Sequence, residues 1–483
     1  MRLYNYLEDI EVLQTNVTRF DMEISGVTSR SADIKKGNAF VCIRGSKSDG
    51  HDFAVEAREK GAELLVIEGI TGCVIASGLP FVIVSNTRAV LSKMCAVAVG
   101  HPERKMNITA VTGTNGKTST CRLLSAVYAA AGVDTATLGT LSGGLTTPDP
   151  EDLFGFLKKE FDRGITNVVM EASSHALYYD KLFGIRFRNA VFTNLTGEHL
   201  DFHKSMMDYA MSKAKLFGAS DRGFYNYDDR YSPALSAKAA GSVINYSATD
   251  PSADVYAENK VFYGMNGFEY ELTGRGKRTK ISSCLSGGFN LYNTLAASAV
   301  ALYEGIESAD IVRGIESVRL VPGRLERLDT GSLPINIYID YAHTPDALEK
   351  VLGCIREYKA PDQALTLVFG CGGDRDRSKR KLMGQIASRL ADLTVVTSDN
   401  SRSENATDII SEILKGIDKE RPYTVIESRK DAIEYAIERT PLNGIVLLAG
   451  KGHEEYEIDR RGKHFFSEKK IAADAVFKRF NKK

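Results

Sequence analysis

The stretch AVTGTNGKTST, Ala110 to Thr120, constrains the fold more than any other part of the chain. An apolar strand runs into a turn that Gly113 and Gly116 permit, and Lys117 and Thr118 then open a helical stretch that closes at Gly132. Strand, glycine loop and helix in that order belong to a parallel α/β sheet, with backbone N–H groups and a helix N-terminus offered to an anion. The loop from Gly113 through Thr114, Asn115 and Gly116 to Ser119 would hold phosphate oxygens. Lys117 would reach the outer phosphates, and the Thr118 hydroxyl suits Mg²⁺. The strict G-x-x-x-x-G-K-[ST] pattern departs at its first position, which is Val111. The bland alternative, a glycine turn before an ordinary helix, leaves the order of strand, loop, G-K-T and helix unexplained.

The rest of the pattern extends this architecture into three α/β blocks. The first, 1–104, holds short strands in NAFVCI and AELLVIE and a helical stretch from Ala54 to Lys60. The central block, 105–322, begins at the strand NITAV and continues through NVVMEA, NAVFTNL and SVINYS with helices between, which reads as a mostly parallel sheet. Pro322-Gly323 makes a hinge, and the third block, 323–483, alternates INIYID, LTLVFG, LTVVT, YTVIE and GIVLLAG with helices. In one of those helices Thr344 fits the N-cap and Pro345 the first turn, while Leu348, Val351, Leu352 and Ile355 share a face. This block reads as a Rossmann-like doubly wound sheet, whose ligands sit at the carboxyl ends of the strands. TSDNSRSE, Thr397 to Glu404, lies at such an end. A capped helix start, with Ser401 or Ser403 as N-cap and Glu404 in the first turn, accounts for part of it. A ligand with both an ammonium and a carboxylate would use Asp399, Asn400 and Arg402 together.

Composition narrows the function classes. Lys+Arg and Asp+Glu both number 62, so a formal net charge of zero argues against bulk nucleic-acid or acidic-membrane binding. No apolar run is long enough to span a bilayer, and MRLYNYLEDIEVL lacks the core of a signal peptide. The 7 cysteines are scattered without a C-x-x-C, as reduced thiols of a cytoplasmic protein would be. His199 and His203 stand four apart, but no cysteine or glutamate set completes a zinc site around them.

T-G-T-N-G-K-[ST] resembles the phosphate loop of the Mur ligase family. Ordered matches from GVTSR near residue 26 to AGKGHEEY near 456 carry the resemblance over nearly the whole chain. Within the family the chain is similar to the MurE type, which adds the third residue to UDP-N-acetylmuramoyl-L-alanyl-D-glutamate in cytoplasmic peptidoglycan synthesis. The resemblance implies ATP-driven amide formation. A substrate carboxylate becomes an acyl phosphate, and the amine of an incoming amino acid displaces phosphate. It implies a set acting at the phosphates and Mg²⁺: Lys117, Thr118, Glu171 of VVMEASSHAL, His199 of TNLTGEHLDFH, and Lys213 of YAMSKAKLF as an N6-carboxylysine. A carbamate offers metal-binding oxygens where an ammonium would repel the metal. Asn290 and Asn293 of GGFNLYN fall near the adenosine. Arg324 of PGRLERL, with Asp340 and His343 of DYAHTPDAL flanking Tyr341, comes from the third block.

For the UDP-muramoyl-dipeptide the resemblance implies Val27, Ser29, Ser46, Thr146, Thr147, Ser173, Tyr179 and Lys181. Thr28 stands where the family has Asp, Glu198 replaces the first Asp of D-H-L-D, and Tyr179 and Lys181 replace the usual Gln and Arg. For the incoming amino acid it implies Arg375, Asp399, Asn400, Ser401, Arg402, Gly450 and Glu454. Users of meso-2,6-diaminopimelate carry D-N-P-R, where the arginine pairs with the distal carboxylate. This chain has D-N-S-R, which keeps the arginine and loses the proline lock. The expectation is a monomeric diaminopimelate-adding ligase. The alternatives are a ligase for lysine or another diamino acid, a divergent paralogue, and a non-catalytic nucleotide-binding protein. A folate-type polyglutamate ligase is disfavoured by the long first block and the DNSR and GKGHE loops.

Overall fold

The computed structural model describes residues 1–45, 48–199 and 202–480. Three sheets carry the chain. The first is five-stranded and parallel except for the edge pair Gln14–Thr15 against Phe81–Ile83. The second has nine strands, with Asn107–Thr112 between the parallel strands Asn167–Glu171 and Phe187–Phe192. The third has six strands, parallel but for the edge pair Glu326–Arg327 against Asn336–Asp340. The mostly parallel α/β class is as expected. The antiparallel extension Val255–Phe262, Phe268–Gly274 and Lys277–Ser283 is an addition to it.

Local chemistry explains the elements that position the site. The helix Lys117–Ala130 buries Leu123, Leu124 and Val127, while Gly132 at φ 73° turns the chain out of it. In the helix Pro345–Tyr358, Thr344 accepts the N–H of Ala347 and Leu348, Val351, Leu352 and Ile355 are buried, as their spacing requires. The helix after TSDNSRSE begins only at Ala406, with Asn405 at its N-cap. Ser401 and Ser403 are therefore not its caps. Ser403 instead gives its hydroxyl to Asp374 at 2.6 Å, a tie to another loop that outcompetes the cap.

Register sets which strand ends meet. Val111 pairs with Glu171 and Thr112 with Phe192, so the phosphate loop, Glu171 and Thr193 emerge at one edge. In the third sheet Asp340 and Phe369 both pair with Ala449, and Phe369 with Val396. The loops carrying His343, Arg375, Arg402 and Glu454 therefore leave that sheet at one level, as a parallel sheet places its ligand loops.

Candidate active site

The phosphate loop is held open by close backbone approach. A Cβ on Gly113, at φ 149°, would lie 1.9 Å from Thr193 Oγ1, and one on Gly116, at φ 89°, would lie 2.4 Å from Asn293 Oδ1. Only glycine fits both places. Thr114 N–H donates to Asn194 O, and Asn115 N–H donates to Asn194 Oδ1 at 3.1 Å. Lys117 Nζ folds back to Gly113 O and Thr114 O, at 3.0 and 2.7 Å. Ser119 is buried behind the loop. Asn293 Nδ2 donates to Asn290 Oδ1 at 2.9 Å, so these two amides brace the loop from below.

The Thr118 hydroxyl donates to Glu171 Oε1 at 3.0 Å and accepts from Arg324 Nη2 at 3.2 Å. One hydroxyl thus joins the phosphate loop, the neighbouring strand end and Arg324 at the start of the third block. Two hard oxygen donors at this separation suit Mg²⁺. Lys213 is fully buried, and its Nζ donates to Gly113 O at 3.0 Å. Burial and the nearby Lys117 hold its ammonium well below the ordinary lysine range. An amine in that position offers no metal-ligating oxygen, so Lys213 fits a metal only if it carries an added carboxylate. His199, at φ 57°, stands edge-on to His175 with ring centroids 4.7 Å apart, and burial keeps its ring neutral, the form that ligates a metal. Among the described residues no group of three or more His, Cys, Asp or Glu side chains is arranged around a single metal position. A cavity of about 450 Å³ opens beside Thr118 and Glu171, walled by Arg122, Ser142, Arg319 and Pro322.

Tyr209 had no signal in the sequence beyond being one aromatic on a helix. Its hydroxyl lies 3.3 Å from Thr114 Oγ1, Lys213 Nζ lies 4.5 Å from its ring, and His203 stacks on it at 4.7 Å. It is the wall against which Thr114, Lys213 and His203 are ordered. Asp346 was missed as well. Its Oδ2 accepts from Asn115 Nδ2 at 3.0 Å and from Thr196 Oγ1 at 2.9 Å, so a third-block carboxylate touches the phosphate loop itself. His343 Nε2 approaches Glu198 Oε1 at 3.4 Å across the same junction. Asp340 accepts the N–H groups of Leu325 and Ala342, at 2.5 and 2.7 Å, and so fixes the backbone on either side of it to the segment after Gly323.

The residues expected at the muramoyl-dipeptide gather where the first and central blocks meet. Val27 lies on the strand Gly26–Thr28, and both the N–H and the hydroxyl of Ser29 donate to Glu151 Oε1, at 2.9 and 2.8 Å. Thr146 Oγ1 lies 3.3 Å from Thr140 Oγ1. Thr147 donates to Glu171 O and accepts from Ser173 N–H, both at 2.9 Å. The Arg88 guanidinium sits 4.3 Å over the Tyr179 ring, and Lys181 pairs with Asp149 at 2.7 Å. Ser46 lies outside the described residues.

The amino-acid set is brought together too, but with a division of labour. Asn400 is largely engaged: Nδ2 donates to Glu454 Oε2 at 2.8 Å, while Oδ1 accepts from Lys451 Nζ at 2.9 Å and Ile458 N–H at 3.0 Å. Asp399 is buried beside Gly450, where a Cβ would lie 2.7 Å from its Oδ2. Burial pushes its carboxyl up, but the charges of Lys451, Arg429 and His343 and the bond from Asn400 N–H together leave it lowered. Arg402, at φ 54°, is not free: Nη1 donates to Gly373 O at 2.9 Å and Asn400 O at 3.2 Å. Gly373 N–H donates to Asn400 O, and the backbone of Ser401 packs on Gly373. The Arg375 loop and the DNSR loop therefore form one unit. Glu404 and the fully buried Arg380 clamp it, with Nη2 to Oε1 at 2.9 Å and a second arm from Nη1 to Glu412 at 2.9 Å.

Comparison with known proteins agrees with this fold. Residues 23–98 match the Mur ligase family catalytic domain, 111–301 the Mur ligase middle domain and 323–452 the Mur ligase glutamate ligase domain. A UDP-N-acetylmuramoyl-L-alanyl-D-glutamate–2,6-diaminopimelate ligase of Geobacter metallireducens is 40% identical over 496 residues, covering 96% of each chain. Its namesake from Clostridium botulinum is 36% identical over 465 residues, 94% of this chain and 95% of that one. A solved structure of a ligase with the same name superposes with a TM-score of 0.68 at 28% identity, covering 100% of this chain and 99% of the other. The MurF ligase of Thermotoga maritima in complex with ADP shares the fold, with a TM-score of 0.61 at 17% identity, covering 95% of this chain and 97% of that one. The chain belongs to the Mur ligase family of ATP-dependent, amide-forming ligases.

Proposed function

We propose that the chain joins meso-2,6-diaminopimelate to UDP-N-acetylmuramoyl-L-alanyl-D-glutamate, as the names of its relatives state for them, with the three blocks 1–104, 105–322 and 323–483 as its domains. The observation that carries the choice of amino acid is Arg402. It is held against the Arg375 loop at a shared strand-end level, where two guanidinium groups suit a substrate with two carboxylates. Asp399 and Glu454 supply the opposite charge for its ammonium groups, Asn400 bonds both carboxylates, and the backbone carbonyl of Gly450 joins Glu454 at the distal ammonium.

The dipeptide carboxylate is first activated by phosphoryl transfer from ATP, giving an acyl phosphate and ADP. The amine then adds to the acyl carbon, and phosphate leaves. Lys117 and Arg324 neutralise charge that builds on the transferring oxygens, and the loop amides hold the phosphates that stay behind. Asp340 and His343 set the hinge edge of the nucleotide site, with Asn290 and Asn293 below it. Thr118, Glu171, His199 and a carbamylated Lys213 would hold Mg²⁺, which when bound supplies Lewis-acid stabilisation of those oxygens. The sugar–peptide lies along Val27, Ser29, Ser46, Thr146, Thr147, Ser173, Tyr179 and Lys181. We place this chemistry in the cytoplasm, performed by a monomer.

A second reading, a ligase for lysine, draws on Ser401 in the place of proline and on Lys181 and Tyr179. The test is ADP release with the UDP-muramoyl-dipeptide and each amino acid in turn. Turnover with diaminopimelate supports the assignment, turnover with lysine alone overturns it, and turnover with neither overturns the ligase reading of the site.

A further inference from the structure

Tyr341 lies between Arg324 and Glu454 and touches both. The guanidinium of Arg324 lies 4.6 Å over its ring. The same arginine reaches Thr118 of the phosphate loop. At the other end of the ring the Tyr341 hydroxyl donates to Glu454 Oε1 at 3.4 Å, and Glu454 Oε2 accepts from Asn400 of the DNSR loop. The base of the side chain is fixed by neighbouring backbone on two sides. Tyr341 N–H donates to Gly323 O at 2.9 Å, beside Arg324 in the hinge. A Cβ on Gly452 of the GKGHEEY turn would lie 2.8 Å from Tyr341 Cβ. A continuous path of contacts thus runs from Thr118 through Arg324, Tyr341 and Glu454 to Asn400.

We propose that Tyr341 is a positioning residue that couples occupancy of the amino-acid site to the placement of Arg324 over the nucleotide. The inference rests on the reading above that Glu454 meets the substrate ammonium and Arg324 the outer phosphates. An ammonium arriving at Glu454 competes for the carboxylate oxygens, and the tyrosine hydroxyl is the group that registers the change. The ring then passes it to the arginine stacked on it. The chemistry gives such coupling a use, because an acyl phosphate formed without an amine at hand is lost to water.

Coupling of this kind is a ratio of affinities and is measured without turnover. Calorimetric titration of the dipeptide-loaded enzyme with Mg²⁺ and a non-hydrolysable ATP analogue is made with and without saturating meso-diaminopimelate. In the natural protein the amino acid should change nucleotide affinity at least about fivefold. Tyr341→Phe keeps the ring and its stack on Arg324 but lacks the hydroxyl. It should bind the nucleotide alone within about twofold of the natural protein, with the amino-acid effect reduced to a ratio near one. Tyr341→Leu removes the stack as well and should also weaken the nucleotide. Equal coupling in the natural protein and Tyr341→Phe, or no coupling in either, overturns the proposal alone. Diaminopimelate binding that Glu454→Gln does not weaken overturns the reading of the amino-acid site, and the proposal with it.

Discussion

Asn115 of the phosphate loop donates its side-chain amide to Asp346 of the third block at 3.0 Å, across 231 residues of sequence. The same carboxylate oxygen accepts from Thr196 and pairs with Lys350 at 3.0 Å. The loop that is to hold phosphates is therefore fastened directly to the block that carries the amino-acid loops. Asp346→Ala removes two hydrogen bonds and the pair with Lys350, and should weaken binding of a Mg²⁺–nucleotide by about 1–2 kcal/mol, roughly 5- to 30-fold. Asp346→Asn keeps an acceptor and should recover most of that. Calorimetry of both variants is the check, and unchanged affinity in Asp346→Ala would refute the fastening.

Arg402→Ala addresses the choice of amino acid. A guanidinium that pairs with the distal carboxylate contributes to binding that substrate and no other. The KM for diaminopimelate should rise at least about tenfold while the KM for the muramoyl-dipeptide stays near its original value. Arg402→Lys should fall short of rescue, since an ammonium lacks the planar fork. Steady-state kinetics with each substrate varied in turn decide it, and equal rises in both KM values would contradict the role.

What the sequence made legible was local. TGTNGKT reads as a phosphate loop because strand, glycines and helix start are contiguous. The helix from Pro345 reads from its own cap and face. Partners distant in sequence were not legible. Asn400 looked like a group waiting for a ligand, yet Lys451, Glu454 and Ile458 already use its amide. Ser403 looked like a cap, yet Asp374 takes it. Glu404 looked like a first-turn carboxylate, yet it closes an ion cluster around the buried Arg380. For Ser403 and Glu404 the short-range role was chemically sound, and a tertiary partner of higher charge or better geometry displaced it.

That ion cluster predicts an acid response. Bonds from Arg380, with a backbone N–H from Asp374, hold the Glu404 carboxyl at about 2 against an ordinary 4.5. A carboxyl lowered on folding adds stability that is complete above the unfolded value and is lost as pH falls from there through about 2. Thermal unfolding across that window should show a steep loss in the natural protein. Glu404→Gln should flatten the curve there and lower stability at pH 7 by roughly 2 kcal/mol. An unchanged slope in the variant would mean that other carboxylates dominate acid unfolding.

Two glycine substitutions separate the site from the scaffold. A Cβ on Gly373 would lie 1.9 Å from Ser401 O and 2.7 Å from Ser401 C, both backbone atoms that cannot rotate away. Gly373→Ala must therefore push the Arg375 loop off the DNSR loop. The expected result is a rise of at least about tenfold in the KM for the amino acid, with nucleotide affinity little changed, because the phosphate loop takes no part in that contact. Gly353, inside the helix Pro345–Tyr358, has open space around its would-be Cβ. Gly353→Ala should stabilise the protein by about 0.5–1 kcal/mol through helix propensity alone and leave every KM in place. Denaturant unfolding together with substrate kinetics on both variants tests the pair. An amino-acid KM untouched by Gly373→Ala would show that the two loops do not need their contact to bind the substrate.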